Sequence, residues 1–133
     1  MSAERRFIDS HPYEIKKLWE IAKNKPIIEV PVLLLDQSHK KRHWKGKHGQ
    51  PISAHEVFQN PAFAPDHARQ TNEADLSYPI ILAASNLDIL DGLHRLNKCL
   101  KLGQTDIKAQ LVSMQDLKKN ASTLHPTSPN LRK

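Results

Sequence analysis

The sequence predicts a compact α/β (α+β) domain: a small mixed sheet with a helix that opens at a glycine. Three observations carry this expectation. Short apolar, strand-like runs alternate with segments of helical periodicity along the chain. A strand–Gly–helix passage, Asp88-Ile-Leu-Asp-Gly-Leu-His-Arg-Leu-Asn-Lys98, stands in its last third. The length of 133 residues, with 38% hydrophobic and 26% charged residues, suits one core rather than two. Residues 1–120 are the expected domain. Residues 121–133, polar and carrying Pro126 and Pro129, are expected to fray.

Taken in order, residues 12–23 read as a helix. Asp9 or Ser10 can cap it, Pro12 suits its first turn, and Ile15, Leu18, Trp19 and Ala22 make one apolar face. Trp19 is therefore expected in the core. Residues 27–35 alternate as a strand; Pro31, which has no N–H, assigns it to an edge or a bulge. Apolar residues on both sides near its end predict that both faces are covered. Residues 37–50 have no apolar period and contain Gly46 and Gly49, so a loop is expected. Ser53-Ala-His-Glu56 has the form of a capping box opening a short helix, ended by Asn60-Pro61. A second short helix spans residues 66–74. Residues 80–84 and 87–90 read as strands about a Ser85-Asn86 turn. Residues 93–102 read as a helix stopped by Gly103, 107–112 as the closing strand, and Ser113 to Asp116 as the cap of a last helix.

Lys and Arg number 20 against 14 Asp and Glu, a formal charge of +6. That balance favours anionic partners, whether nucleotide, nucleic acid or acidic surface. One cysteine excludes an intramolecular disulfide and a CxxC zinc site. No apolar run is long enough for a membrane span, and the first residues lack the apolar core of a signal peptide. A cytoplasmic protein with a reduced thiol and no membrane partner is expected.

The basic segment holds Lys40, Lys41, Arg42, Lys45 and Lys47 with three histidines and Trp44, and no acid. Lys40, Lys41 and Arg42 suit a lid that steers phosphate, with Trp44 stacking on a base. The alternative is a solvated loop with Trp44 folded onto the core. His39, His43 and His48 lie among like charges that oppose a divalent cation. His55 and His67 read as surface residues, although the turn containing His67 can come to face the glycine helix in three dimensions.

The glycine helix is the centre of the expected chemistry. Gly92 permits a sharp turn, and the opening N–H groups of a helix, at the positive end of its dipole, attract anions. His94 and Arg95 lie in that first turn, on its exposed side, and Arg95 brings a fork of donors suited to phosphate oxygens. The alternatives are that His94 and Arg95 cap backbone or pair with Asp91, and that Asp91 is an N-cap.

Leu90-Asp-Gly-Leu-His-Arg-Leu96, preceded by Tyr78-Pro-Ile-Ile-Leu and followed by Leu102-Gly-Gln-Thr-Asp-Ile-Lys-Ala-Gln-Leu-Val, resembles the ParB/sulfiredoxin superfamily, as a DGxHR-type ParB-like domain. The resemblance covers residues 78–113. It implies that Gly92, Leu93, His94 and Arg95 form a turn binding the phosphates of a nucleotide such as ATP, ADP or CTP. It also implies that Asp91 lies beside the reacting phosphate, as in members that include free-serine kinases. There Asp91 would orient Mg²⁺ through water or accept a hydroxyl proton, in phosphoryl transfer or nucleotide hydrolysis. Sulfiredoxin carries its reactive cysteine where this chain has Leu93, and Cys99 lies too far along the helix to replace it, so thiol chemistry is not expected. With the residues given after the motif helix too few for the DNA-binding and dimerisation domains of partition proteins, centromere-type DNA spreading is not expected. The competing reading is a non-catalytic nucleic-acid-associated or regulatory module, its basic loop on phosphate backbone.

Overall fold

In the computed structural model, which describes residues 5–8, 11–46 and 48–118, β1 (Arg5–Ile8) and β2 (His11–Glu14) pair as an antiparallel hairpin. The helix expected from residue 12 therefore starts later, as α1 (Ile15–Ala22), because residues 11–14 pair with β1 instead. Its expected caps, Asp9 and Ser10, lie outside the described residues, as does the segment expected to fray. The face α1 buries is Ile15, Leu18, Ile21 and Ala22. Trp19 sits at the margin of that face and is 50% exposed, which corrects its expected place in the core.

The strand expected over residues 27–35 is shorter. β3 (Ile28–Pro31) gives way to a 3-10 turn at Val32–Leu35. Pro31 has no N–H for the ladder, and the next donor, Val32 N–H, goes to the Thr105 carbonyl as the chain turns. β3 lies at an edge of the sheet, as Pro31 requires. Its faces are not both covered: within the strand only Val30 is buried, and Leu33 and Leu34 beyond it stand in solvent.

Residues 37–50 are not a loop throughout. A single helical turn, α2 (Asp36–His39), is followed by β4 (Trp44–Lys45), which pairs with β5 (Pro51–Ile52). The Ser53 capping box is present: Ser53 Oγ accepts from Glu56 N–H while Glu56 Oε1 accepts from Ser53 N–H, opening α3 (Ala54–Gln59). After a 3-10 turn at Pro61–Phe63 comes α4 (Pro65–Glu73), with proline in its first turn.

β6 (Ile80–Ala83) is buried at every position. Leu87, expected in the next strand, adopts φ +62 inside a tight turn in which its N–H returns to Ala83. The strand is β7 (Ile89–Asp91), and α5 (Leu93–Lys101) leaves it through Gly92. β8 (Asp106–Val112) closes the sheet, and Ser113 and Asp116 cap a last helical turn over residues 114–118.

The domain is thus a mixed four-stranded sheet in the order β3-β8-β6-β7 with helices on both faces. β8 runs parallel to β6, and the other two pairings are antiparallel. Alternation along β6 divides the core. Ile81 and Ala83 pack on α1 with Leu90, Val112 and Leu117, and Ile80 and Leu82 pack beneath Leu96 and Cys99 of α5. A third cluster, Ile52, Val57 and Ala64, joins α3 and the β4–β5 hairpin.

Candidate functional site at the start of α5

Gly92 is the N-cap of α5, at φ +119 and ψ 21. A Cβ there would lie 2.4 Å from Ile80 Cγ2 and 2.7 Å from Ile80 Cβ. The absence of a side chain is thus required by contact with the neighbouring strand as well as by the left-handed backbone. Asp91 is the last residue of β7, and Gly92 holds the cap position, so the N-cap alternative for Asp91 is set aside.

Asp91 Oδ2 accepts a hydrogen bond from Trp19 Nε1 at 2.9 Å and lies 3.4 Å from Arg95 Nη2. Arg95 Nη1 donates to the Pro79 carbonyl. The side chains of Arg95 and Asp91 are 22% and 16% exposed, so Arg95 does not stand on the exposed side of its turn as expected. Its guanidinium joins the strand entering β6 to the end of β7, and with Trp19 it fixes the Asp91 carboxylate.

α4 and α5 lie side by side and run in the same direction. His67, near the start of α4, contacts His94 in the first turn of α5; further along, Lys98 Nζ donates to the carbonyls of Asn72 and Ala74, and Lys101 Nζ to Asn72 Oδ1. Those lysines sit where the negative end of α4 needs cations. The positive ends of both helices consequently fall together at the opposite end, beside Gly92.

His67 Nδ1 and His94 Nε2 are 3.0 Å apart, and their rings are within 22° of coplanar. Trp44 covers both. Its centroid is 4.0 Å from that of His67 at 2°, and 4.5 Å from that of His94 at 20°. Burial holds the His67 imidazole below its ordinary value, against the raising influence of Asp66 and a hydrogen bond with the Lys45 backbone. His67 is therefore no surface residue. Trp44 is folded back against the Ile52–Val57–Ala64 cluster while stacked over the first turn of α5. Both tryptophans of the chain touch this turn, from separate elements: Trp19 through Asp91 and Trp44 through His94.

The expected lid cations all face carboxylates within the chain. Lys40 pairs with Asp36 (3.1 Å), Lys41 with Asp88 (2.7 Å) and Arg42 with Glu56 (3.6 Å). Lys47 lies outside the described residues. His39, expected in a solvated loop, is buried between α2 and α5. Asn97 Nδ2 donates to the Ala54 carbonyl, so Asn97 Oδ1 faces His39 and accepts its Nε2–H at 2.6 Å. Burial lowers the His39 pKa, and contact with His55, 5.3 Å away between centroids, adds to this. His55 is half-buried rather than a surface residue.

Cys99 is fully buried, and burial, followed by the nearby Asp106 charge, pushes its thiol pKa above the ordinary thiol range, an inert environment. Among the described residues no group of three or more His, Cys, Asp and Glu side chains is placed to hold a metal ion. Magnesium asks for less than such a cage, binding through one or two carboxylates together with phosphate and water. Asp91 fits that demand: Oδ2 is held by Trp19 and Arg95, and Oδ1 has no partner among the described residues.

Sequence reasoning missed the Pro79 carbonyl and the Trp19–Asp91 contact, and it left open the approach of His67 to the glycine helix. No local signal points to the last of these, because the two histidines are 27 positions apart and meet only through the packing of α4 on α5. No protein-family model, curated protein or solved structure matches the chain. Among the described residues no helix is long and apolar enough to cross a membrane.

Proposed function

We propose that this protein binds a nucleoside phosphate at the first turn of α5, in a ParB/sulfiredoxin-like arrangement of sheet and helix. The observation that carries the reading is the parallel packing of α4 and α5, which gathers two helix N-termini beside Gly92, His94 and Arg95. Two positive helix ends side by side repel one another, and an anion between them relieves the repulsion. Leu93 and the residues after it supply backbone N–H groups with no acceptor inside the helix. Arg95, released from the Pro79 carbonyl or keeping that bond, contributes guanidinium N–H groups toward phosphate oxygens.

Asp91 is the residue on which phosphoryl transfer or hydrolysis would rest. Its Oδ1 would hold Mg²⁺ through water, the ion neutralising phosphate charge, while Trp19 and Arg95 keep the carboxylate oriented. ATP, ADP and CTP are the ligands to screen by thermal shift, with and without Mg²⁺. A ligand at about 100 times its Kd adds roughly 2.7 kcal/mol of stability. Because both tryptophans touch the turn, binding also changes intrinsic fluorescence. A screen in which no nucleotide moves either signal refutes the reading.

A nucleic-acid-binding module has less support, since Lys40, Lys41 and Arg42 already face carboxylates. Backbone binding weakens steeply with salt, whereas a single phosphate in a cradle depends on it less, and a salt titration separates the two.

A further inference from the structure

The outer edge of β3 carries backbone groups whose direction the ladder fixes. Val32 N–H goes to the Thr105 carbonyl, and the β3–β8 register continues as Val30 opposite Ile107 and Ile28 opposite Ala109. In an antiparallel ladder alternate residues exchange both their N–H and C=O with the neighbour. Ile28 and Val30 therefore bond to β8, while Glu29 and Pro31 face the other way. The Ile27 carbonyl also faces outward, because a trans peptide opposes it to the Ile28 N–H. Pro31 has no N–H, so Glu29 N–H is the one donor that β3 points outward, and among the described residues it has no partner. Unpaired groups along a sheet edge are a template for another strand.

We propose that this edge pairs with the same edge of a second copy of the chain, antiparallel about a two-fold axis at Ile28, so that two sheets become one. Each Glu29 N–H then donates to the other copy's Ile27 carbonyl. Ile28 faces its own counterpart across the axis as a non-hydrogen-bonded pair, the closer kind. Neighbouring registers fit worse. One step toward Pro31 sets Glu29 against Glu29, like charges directly opposed, and the next sets it against Pro31, which returns no donor. A step toward Lys25 sets Glu29 against a residue whose N–H is held by the Ala22 carbonyl and whose own carbonyl accepts from Gln110 Nε2.

The surroundings of the edge fit a second copy. Ile27, Ile28, Leu33 and Leu34 are half of the large apolar side chains that stand exposed among the described residues, so the patch is concentrated here. Residues 26–35 hold no Lys, Arg or His in a chain of formal charge +6, and two such copies approach with least repulsion at a stretch without cations. Residues 119–133 suit this edge less well: Leu124 and Leu131 are their only large apolar residues, and Pro126 and Pro129 lie between them.

The test joins sedimentation velocity to amide hydrogen exchange on the full chain, between about 10 μM and 1 mM protein. A dimer is expected to form as concentration rises. In it, exchange at Glu29 N–H should slow by about tenfold or more, while Ile28 and Val30, already bonded to β8, change little. Ile28 is 38% exposed and can carry a charge without entering the core. Ile28→Lys and Ile28→Glu should each be monomeric, since each sets like charges face to face across the axis. An equal mixture of the two variants should pair again. A wild-type chain that is monomeric at the highest concentration overturns the proposal. So does a dimer whose Glu29 amide exchanges freely, or one that survives Ile28→Lys. A monomer whose Glu29 amide is protected at every concentration also overturns it, by showing that the chain covers its own edge. Wild-type sedimentation and exchange decide the matter even if the variants do not fold.

Discussion

Gly92 combines φ +119 with an approach to Ile80 that leaves no room for a methyl group. Gly92→Ala is therefore expected to destabilise the fold by about 2 kcal/mol or more, read as a fall in the urea midpoint. A variant here tests packing before it tests ligand binding. Arg95 is the better probe of the site. Arg95→Ala is expected to weaken nucleotide binding about ten- to a hundredfold, through a lost contact worth roughly 1.5–3 kcal/mol. It also strips the Pro79 carbonyl and Asp91 of a donor, so its melting must be measured beside its affinity. Unchanged affinity in a folded variant would remove Arg95 from the site. Asp91→Asn keeps the size and one oxygen for Trp19. If Asp91 serves the chemistry, this variant binds nucleotide and loses turnover by about 10²-fold. Equal turnover would leave a binding site without catalysis.

At the scale of elements, Asn97 binds three helices together. Its amide donates to Ala54 at the start of α3 and accepts from His39 at the end of α2, while Asn97 itself belongs to α5. All of this is buried, so Asn97→Ala leaves His39 Nε2 without its partner and takes one donor from the Ala54 carbonyl, which keeps its helical bond. The expected cost is about 2–4 kcal/mol, more than the roughly 1 kcal/mol for Ser53→Ala at the α3 cap. Urea unfolding of the two variants side by side checks the order, and an equal cost would show that water replaces the lost bonds. The same interval shows why the chain between β3 and α3 was the hardest to read. Its basic residues resemble a solvated loop, and neither α2 nor the β4–β5 pair has the length for a periodic signal. The capping box at Ser53 was legible because its two hydrogen bonds depend on residues three apart.

For the whole molecule, two partly or wholly buried histidines set the response to acid. His39 and His67 both have pKa values pushed below the ordinary 6.5, chiefly by burial. As pH falls through 6.5 the unfolded chain takes up these protons before the folded one does. The stability they contribute is thus complete above that pH and is lost as pH falls toward the lower folded values. The urea midpoint is expected to drop between about pH 7 and 5. His39→Phe should flatten part of that slope, and a slope that is the same with and without His39 would assign the acid response elsewhere.

The strand–Gly–helix passage, the capping box at Ser53, the edge position implied by Pro31 and the buried run of β6 were all readable along the chain. Each depends on interactions within a few residues or on a simple alternation. Trp19 was misplaced because a helix period locates a face but not its margin, and it is Asp91, 72 positions away, that engages its indole. His67 and His94 met for a comparable reason. Nothing near either residue encodes the parallel packing of α4 on α5, which follows from Lys98 and Lys101 reaching the end of α4 and from the shape of the core beneath them. Local chemistry placed the glycine, the arginine and the aspartate in one motif. Packing between distant segments determined what surrounds them: a tryptophan on the carboxylate, a second over the histidine, and a second imidazole 3.0 Å from it.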